Sequence, residues 1–137
     1  MSPFWPLNHE ADIGLLVRAS DLKGLFVESA KGLVLLLVGE FPVVPAGWRT
    51  LTLEAPEAEE LLVDFLSEIL YLANSEGLAA VQVELPELSQ TRLEARLGVV
   101  PVDRLGQLKE EIKGVTYHHL ELKRTDQGLE TELVFDV

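Results

Sequence analysis

The side chains in this 137-residue chain that could do chemistry are oxygen donors. There is no cysteine, which removes disulfides, thiolate metal sites and cysteine nucleophiles together. The histidines are His9, His118 and His119, and neither helical stretch carries a His-x-x-x-His or Glu-x-x-His pair, so a zinc site is poorly supplied. A Gly-x-x-x-x-Gly-Lys-Ser/Thr loop, a Gly-x-Gly-x-x-Gly turn and a Gly-x-Ser-x-Gly elbow are all absent, so phosphate cradling, dinucleotide binding and a serine elbow lack local support. What remains is the placement of two acids. Asp12 opens an alternating apolar stretch, and Asp136 precedes the last residue, Val137, with its free carboxylate. Leu133 and Phe135 take one face of the last stretch and Val134 and Asp136 the other, so Asp136 is expected to leave a partly covered surface. If the first and last stretches pair, two carboxylates and a chain terminus converge. Three hard oxygen groups suit Ca²⁺, Mg²⁺ or Mn²⁺, and without a cation such close like charges repel. Spacing alone leaves the plain alternative open, with Asp12 as a turn former and Asp136 in solvent.

Other candidates have two readings each. In the stretch 115–123, Thr116, His118, Leu120 and Leu122 share one face, and Tyr117, His119, Glu121 and Lys123 the other. His118 is then either a hydrogen-bonded, half-buried histidine or a group lining a cleft. His119 reads as surface. Lys113 is either a solvated loop charge or an anion contact. Trp5 and Trp48 read as core edges, since no basic groove surrounds them.

Positioning these residues requires a core, and the composition supplies one: 47% hydrophobic and 25% charged residues. The length fits one domain spanning residues 1–137. A net charge of −12 disfavours DNA or RNA on the body of the protein and suits a basic protein partner or a cation. The longest apolar run, Leu33 to Val38, is far short of the roughly 20 residues that span a bilayer, and Met1 to His9 has no signal-peptide pattern. A cytoplasmic location with no membrane partner is the expectation.

The elements follow from periodicity. A strand over 12–19 leads to a helix from Leu22 to Gly39, capped by Ser20 or Asp21 and weakened by Gly24 and Gly32. A strand over 48–55 leads to a helix over 57–76 with Gly77 after its end. A hairpin over 79–86 and 90–98 comes next, then a charged loop, 99–112, with a helical turn near Gln107–Glu111. Strands over 115–123 and 129–137 finish the chain. The order β-α-β-α-β-β-β-β predicts an α+β fold, a mostly antiparallel sheet covered by two helices.

Four ordered segments together resemble the archease family: His9-Glu10-Ala11-Asp12-Ile13-Gly14, the helix Leu61 to Leu72 followed by Glu76-Gly77-Leu78, Lys113 to Glu121, and Phe135-Asp136-Val137. The resemblance implies an SHS2-like strand-helix-strand-strand module with an insertion. It also implies a non-enzymatic cofactor of an RtcB-type, GTP-dependent RNA ligase, promoting ligase guanylylation and multiple turnover in tRNA splicing or RNA repair. RNA is then met only through the ligase. The family's metal site carries over to Asp12, Asp136 and a carboxyl or carbonyl oxygen of Val137, with Ca²⁺ expected in vitro and Mn²⁺ or Mg²⁺ as cellular alternatives. His9, Glu10, Lys113, His118 and Glu121 are candidate supporting or partner contacts. Glu10 stands where the family usually has Thr, Gly114 where Ala is common, and 99–108 departs from the family's loop pattern. Two other classes remain: a metal-dependent phosphohydrolase using the same carboxylates with His118 as acid or base, and a chaperone-like binding module.

Overall fold

The structure is a computed structural model that describes residues 3–8, 12–41, 44–117 and 120–137. The elements are β1 (Phe4–Asn8), β2 (Asp12–Ala19), α1 (Leu22–Val38), β3 (Gly47–Glu54), α2 (Ala58–Ser75), β4 (Leu78–Leu88), β5 (Arg92–Pro101), a 3₁₀ turn (Val102–Leu105), β6 (Gly114–Thr116), β7 (Lys123–Thr125) and β8 (Gly128–Asp136). The fold is α+β, as expected, with the strands divided between two antiparallel sheets. One runs β1-β2-β8, with β6 and β7 both on the far edge of β8; the other runs β3-β5-β4.

The helices join the sheets. Asp21 caps α1 by accepting the Gly24 amide at 2.8 Å, and α1 then packs on both β2 and β4. A Cβ at Gly32 would lie 2.5 Å from Leu15 Cδ2, so the glycine that weakens this helix is what lets it lie close on β2. α2 packs on β3, β4 and β6, and Gly77, at φ 66°, ends it. Phe26, Phe65, Phe135, Leu15, Leu62 and Leu93 are fully buried in one contiguous cluster. Each such side chain contributes about 1.5–3 kcal/mol on leaving water.

Three expectations change. β1 was not expected, because Pro6 interrupts its pattern; it is an edge strand, paired with β2 alone, where a missing amide is tolerated. The single strand expected over 115–123 is two short ones, β6 and β7. Between them, Leu120 N–H donates to the Tyr117 carbonyl at 3.2 Å and the Glu121 carbonyl accepts the Thr131 hydroxyl at 2.8 Å, so the chain turns off the ladder. In the expected loop 99–112, β5 instead continues to Pro101, because Val99 and Val100 are buried, and the helical turn forms at 102–105 rather than near 107–111.

Candidate metal centre at the end of the five-stranded sheet

The alternation in β2 and β8 sends Leu15, Val17, Leu133 and Phe135 into the core, all at 1% exposure or less. Their neighbours must then point outward. The β2–β8 register sets Asp12 directly opposite Asp136, with Gly14 opposite Val134 and Leu16 opposite Glu132 on the same outer face. The condition for the two acids to converge, pairing of the first predicted strand with the last, is therefore met. Directly opposed residues in an antiparallel pair hold their Cβ atoms about 4.5–5.5 Å apart, so the two acidic side chains leave neighbouring points on the same face. Oδ1 of Asp12 is buried, whereas Asp136 and Val137 are exposed.

β6 closes the other side of Asp136. Gly114 is its register partner, and the Lys113 amide donates to the Asp136 carbonyl at 2.7 Å. Lys113 thus belongs to this end of the sheet through its main chain, with its side chain exposed. A Cβ at Gly114 would lie 3.8 Å from Asp136 Oδ2, an ordinary contact, so the alanine common in the archease pattern would fit here.

Glu121 is elsewhere. With Leu16, Lys123, Glu130, Thr131, Glu132 and Val134 it lines a groove of about 370 Å³ on the outer face. Its carbonyl is held by Thr131, five residues back from Asp136, or about 17 Å along the strand. His9, Glu10 and His118 lie outside the described residues. Trp5 and Trp48, expected at core edges, instead face outward beneath Arg18 and Arg96, 5.1 and 4.6 Å from the guanidinium carbons.

One contact escaped the sequence reading. Tyr117, directly after β6, donates its hydroxyl to Glu57 at the start of α2. That bond, then desolvation and the charges of Glu57, Glu60 and Glu59, push the phenol up to about 12. Glu57, the N-cap residue of α2, makes no side-chain cap bond to the helix. Nothing in the local pattern marks a pair 60 residues apart.

The donor set fits a hard cation: paired carboxylates on adjacent strands, a main-chain oxygen of Val137 next along the chain, and no sulfur. Among the described residues no three His, Cys, Asp or Glu side chains form a metal-holding group. Two carboxylates cannot fill the six to eight positions of about 2.3–2.6 Å that Ca²⁺ takes, so water or a partner's oxygens would complete the sphere. No helix among the described residues is long and apolar enough to cross a membrane.

Comparison with known proteins agrees with this architecture. The model of the Archease protein family (MTH1598/TM1083) matches residues 4–137. The chain is 30% identical over 136 residues to "Protein archease" of Methanosarcina acetivorans, covering 96% of this chain and 93% of the relative. The solution structure of Methanobacterium thermoautotrophicum protein 1598 superposes with a TM-score of 0.78 at 22% identity, covering 100% of both chains. A crystal structure of an archease from Thermotoga maritima, described as a possible chaperone, gives a TM-score of 0.62 at 23% identity, over 97% of this chain and 96% of that one. With the family pattern matched from the first strand to the last residue, this chain belongs to the archease family.

Proposed function

We propose that this archease is a non-enzymatic, metal-binding activator of an RtcB-type, GTP-dependent RNA ligase, promoting ligase guanylylation and multiple turnover in tRNA splicing or RNA repair. The observation that carries the reading is the cross-strand pair Asp12–Asp136, with the Lys113 amide on the Asp136 carbonyl. Like charges directly opposed on a sheet are destabilising, and a cation held between them would offset that repulsion. Asp12, Asp136 and a main-chain oxygen of Val137 would hold a divalent cation: Ca²⁺ in vitro, Mn²⁺ or Mg²⁺ in the cell. When bound, the cation screens carboxylate and phosphate charge together. An incomplete coordination sphere suits a site that shares its ion with a partner. Lys113 supports the strand end and offers its ammonium to nucleotide phosphate or to an acidic group of the ligase. A net charge of −12 disfavours direct RNA or DNA binding, so RNA is met through the ligase.

The test is ligase guanylylation and multiple-turnover joining, with and without the wild-type chain, Asp12→Asn and Asp136→Asn. The wild type should stimulate both steps and each variant neither, with melting temperatures not lowered. Full stimulation by both variants would sink the proposal. Phosphoester turnover by the isolated chain with metal would favour the phosphohydrolase reading instead. Suppression of aggregation that survives both substitutions would favour a chaperone, the role suggested for the Thermotoga maritima archease.

A further inference from the structure

The end of β6 beside Asp136 is held by a hydrogen-bonded chain that starts on a helix. Asn74, in the last turn of α2, donates from Nδ2 to the Ile112 carbonyl at 2.8 Å. The Lys113 amide donates to the Asp136 carbonyl at 2.7 Å. The Ile112 carbonyl and the Lys113 amide are the two polar edges of one planar peptide group. A single rigid unit therefore has Asn74 bonded on one edge and the Asp136 main chain on the other. Polarisation of such a chain strengthens both bonds, because drawing density toward the carbonyl makes the amide a better donor.

We infer that Asn74 is a positioning residue for the acidic end of the sheet, fixing the main chain of Asp136 through the 112–113 peptide. The inference rests on the proposed cation site for the purpose of that end, not for the hydrogen-bond chain itself. Ile112 precedes β6, so no described strand partner holds its carbonyl, and its fully buried side chain anchors the peptide from below. The same helix grips the far end of β6 through Glu57 and Tyr117. α2 therefore splints β6 at both ends, and Asn74 is the grip at the Asp136 end. A donor is needed at position 74. Alanine offers none, aspartate would turn a carboxylate on a carbonyl, and glutamine offers the same amide on a longer arm.

The test is amide hydrogen exchange on the metal-free protein, together with Ca²⁺ titration by calorimetry. The chains are wild type, Asn74→Ala, Asn74→Gln and Leu51→Ala, the last a destabilising control in the other sheet. Asn74→Ala should speed Lys113 exchange about tenfold relative to the amides shared by β2 and β8, with part of the protection restored in Asn74→Gln. Ca²⁺ affinity should fall about fivefold in Asn74→Ala. Leu51→Ala should leave both the exchange ratio and the affinity as in wild type. An unchanged Lys113 ratio in Asn74→Ala, or the same change in Leu51→Ala, overturns the inference. If the wild type binds no Ca²⁺ while Lys113 loses protection in Asn74→Ala, the metal reading fails and the positioning role of Asn74 stands.

Discussion

Each sheet of this protein opposes two carboxylates across a strand pair, and the two pairs are handled differently. In the three-stranded sheet Glu87 lies opposite Glu94, and Arg92 reaches both, at 3.6 and 3.3 Å, and Glu54 as well, at 3.0 Å. The bond to Glu54 leads in pushing the Arg92 guanidinium above its ordinary range. Arg96 serves the same face, 2.7 Å from Glu84 and stacked on Trp48. In the five-stranded sheet Arg18 meets Glu130 far from Asp12, and at the other end the acid opposite Asp12 is Asp136. Where the like-charge pair is structural, the chain supplies a bridging guanidinium. In the reading proposed above, the pair Asp12–Asp136 would in addition share a cation from solution. An acidic pair on a sheet is thus informative when the cation that accompanies it is considered too.

The comparison yields experiments of decreasing size. Replacing both acids, Asp12→Asn with Asp136→Asn, should lower Ca²⁺ affinity by about 100-fold or more, measured by calorimetry, without lowering the melting temperature. Wild-type affinity in the double variant would end the contrast between the two pairs. Arg92→Gln leaves Glu87 and Glu94 opposed with no guanidinium between them. The melting temperature should fall, and fall less in high salt, while Ca²⁺ binding at the other sheet is unaffected. An unchanged melting curve would mean that Arg92 is decoration.

Alkaline titration probes the second grip on β6. Tyr117 is held at about 12 against an ordinary 10.0, because Glu57 favours the protonated phenol. A raised value means that the folded state keeps its proton longer than the unfolded chain. The contribution is therefore complete below pH 10.0 and is lost as pH rises through about 12. Phenolate absorbance should show a delayed phase that disappears in Tyr117→Phe, and that variant should lose less stability across the same window. The smallest effect belongs to Gly114→Ala. The added methyl meets Asp136 Oδ2 at an ordinary 3.8 Å, so stability should change by no more than about 0.5 kcal/mol and Ca²⁺ affinity should hold. A large loss would mean that the strand end has no room beside Asp136.

Much of the molecule could be read along the chain. The helices at 22–38 and 58–75 and the strand at 12–19 carry strong periodicity, because each buries one continuous face. Val134 and Asp136 on one face indicated a partly covered outer surface, but pairing of the first predicted strand with the last stood only as a condition, because no local pattern says which strands are neighbours. β1 was hidden by Pro6, whose cost vanishes only on an edge that the local pattern does not reveal. The break between β6 and β7 was hidden because alternation continues through residues whose backbone bonds go elsewhere. The outward-facing tryptophans were misread because an arginine lid comes from another strand.

Residue types and their order dictated an acidic, cysteine-free α+β chain with no thiolate chemistry, since side-chain inventory and hydrophobic period are local properties. Which acid faces which, which carbonyl Asn74 holds and where Arg92 bridges were settled by register and by contacts between distant segments. Those depend on how strands align once a core has formed, and a one-residue slip would have sent Asp12 to the opposite face.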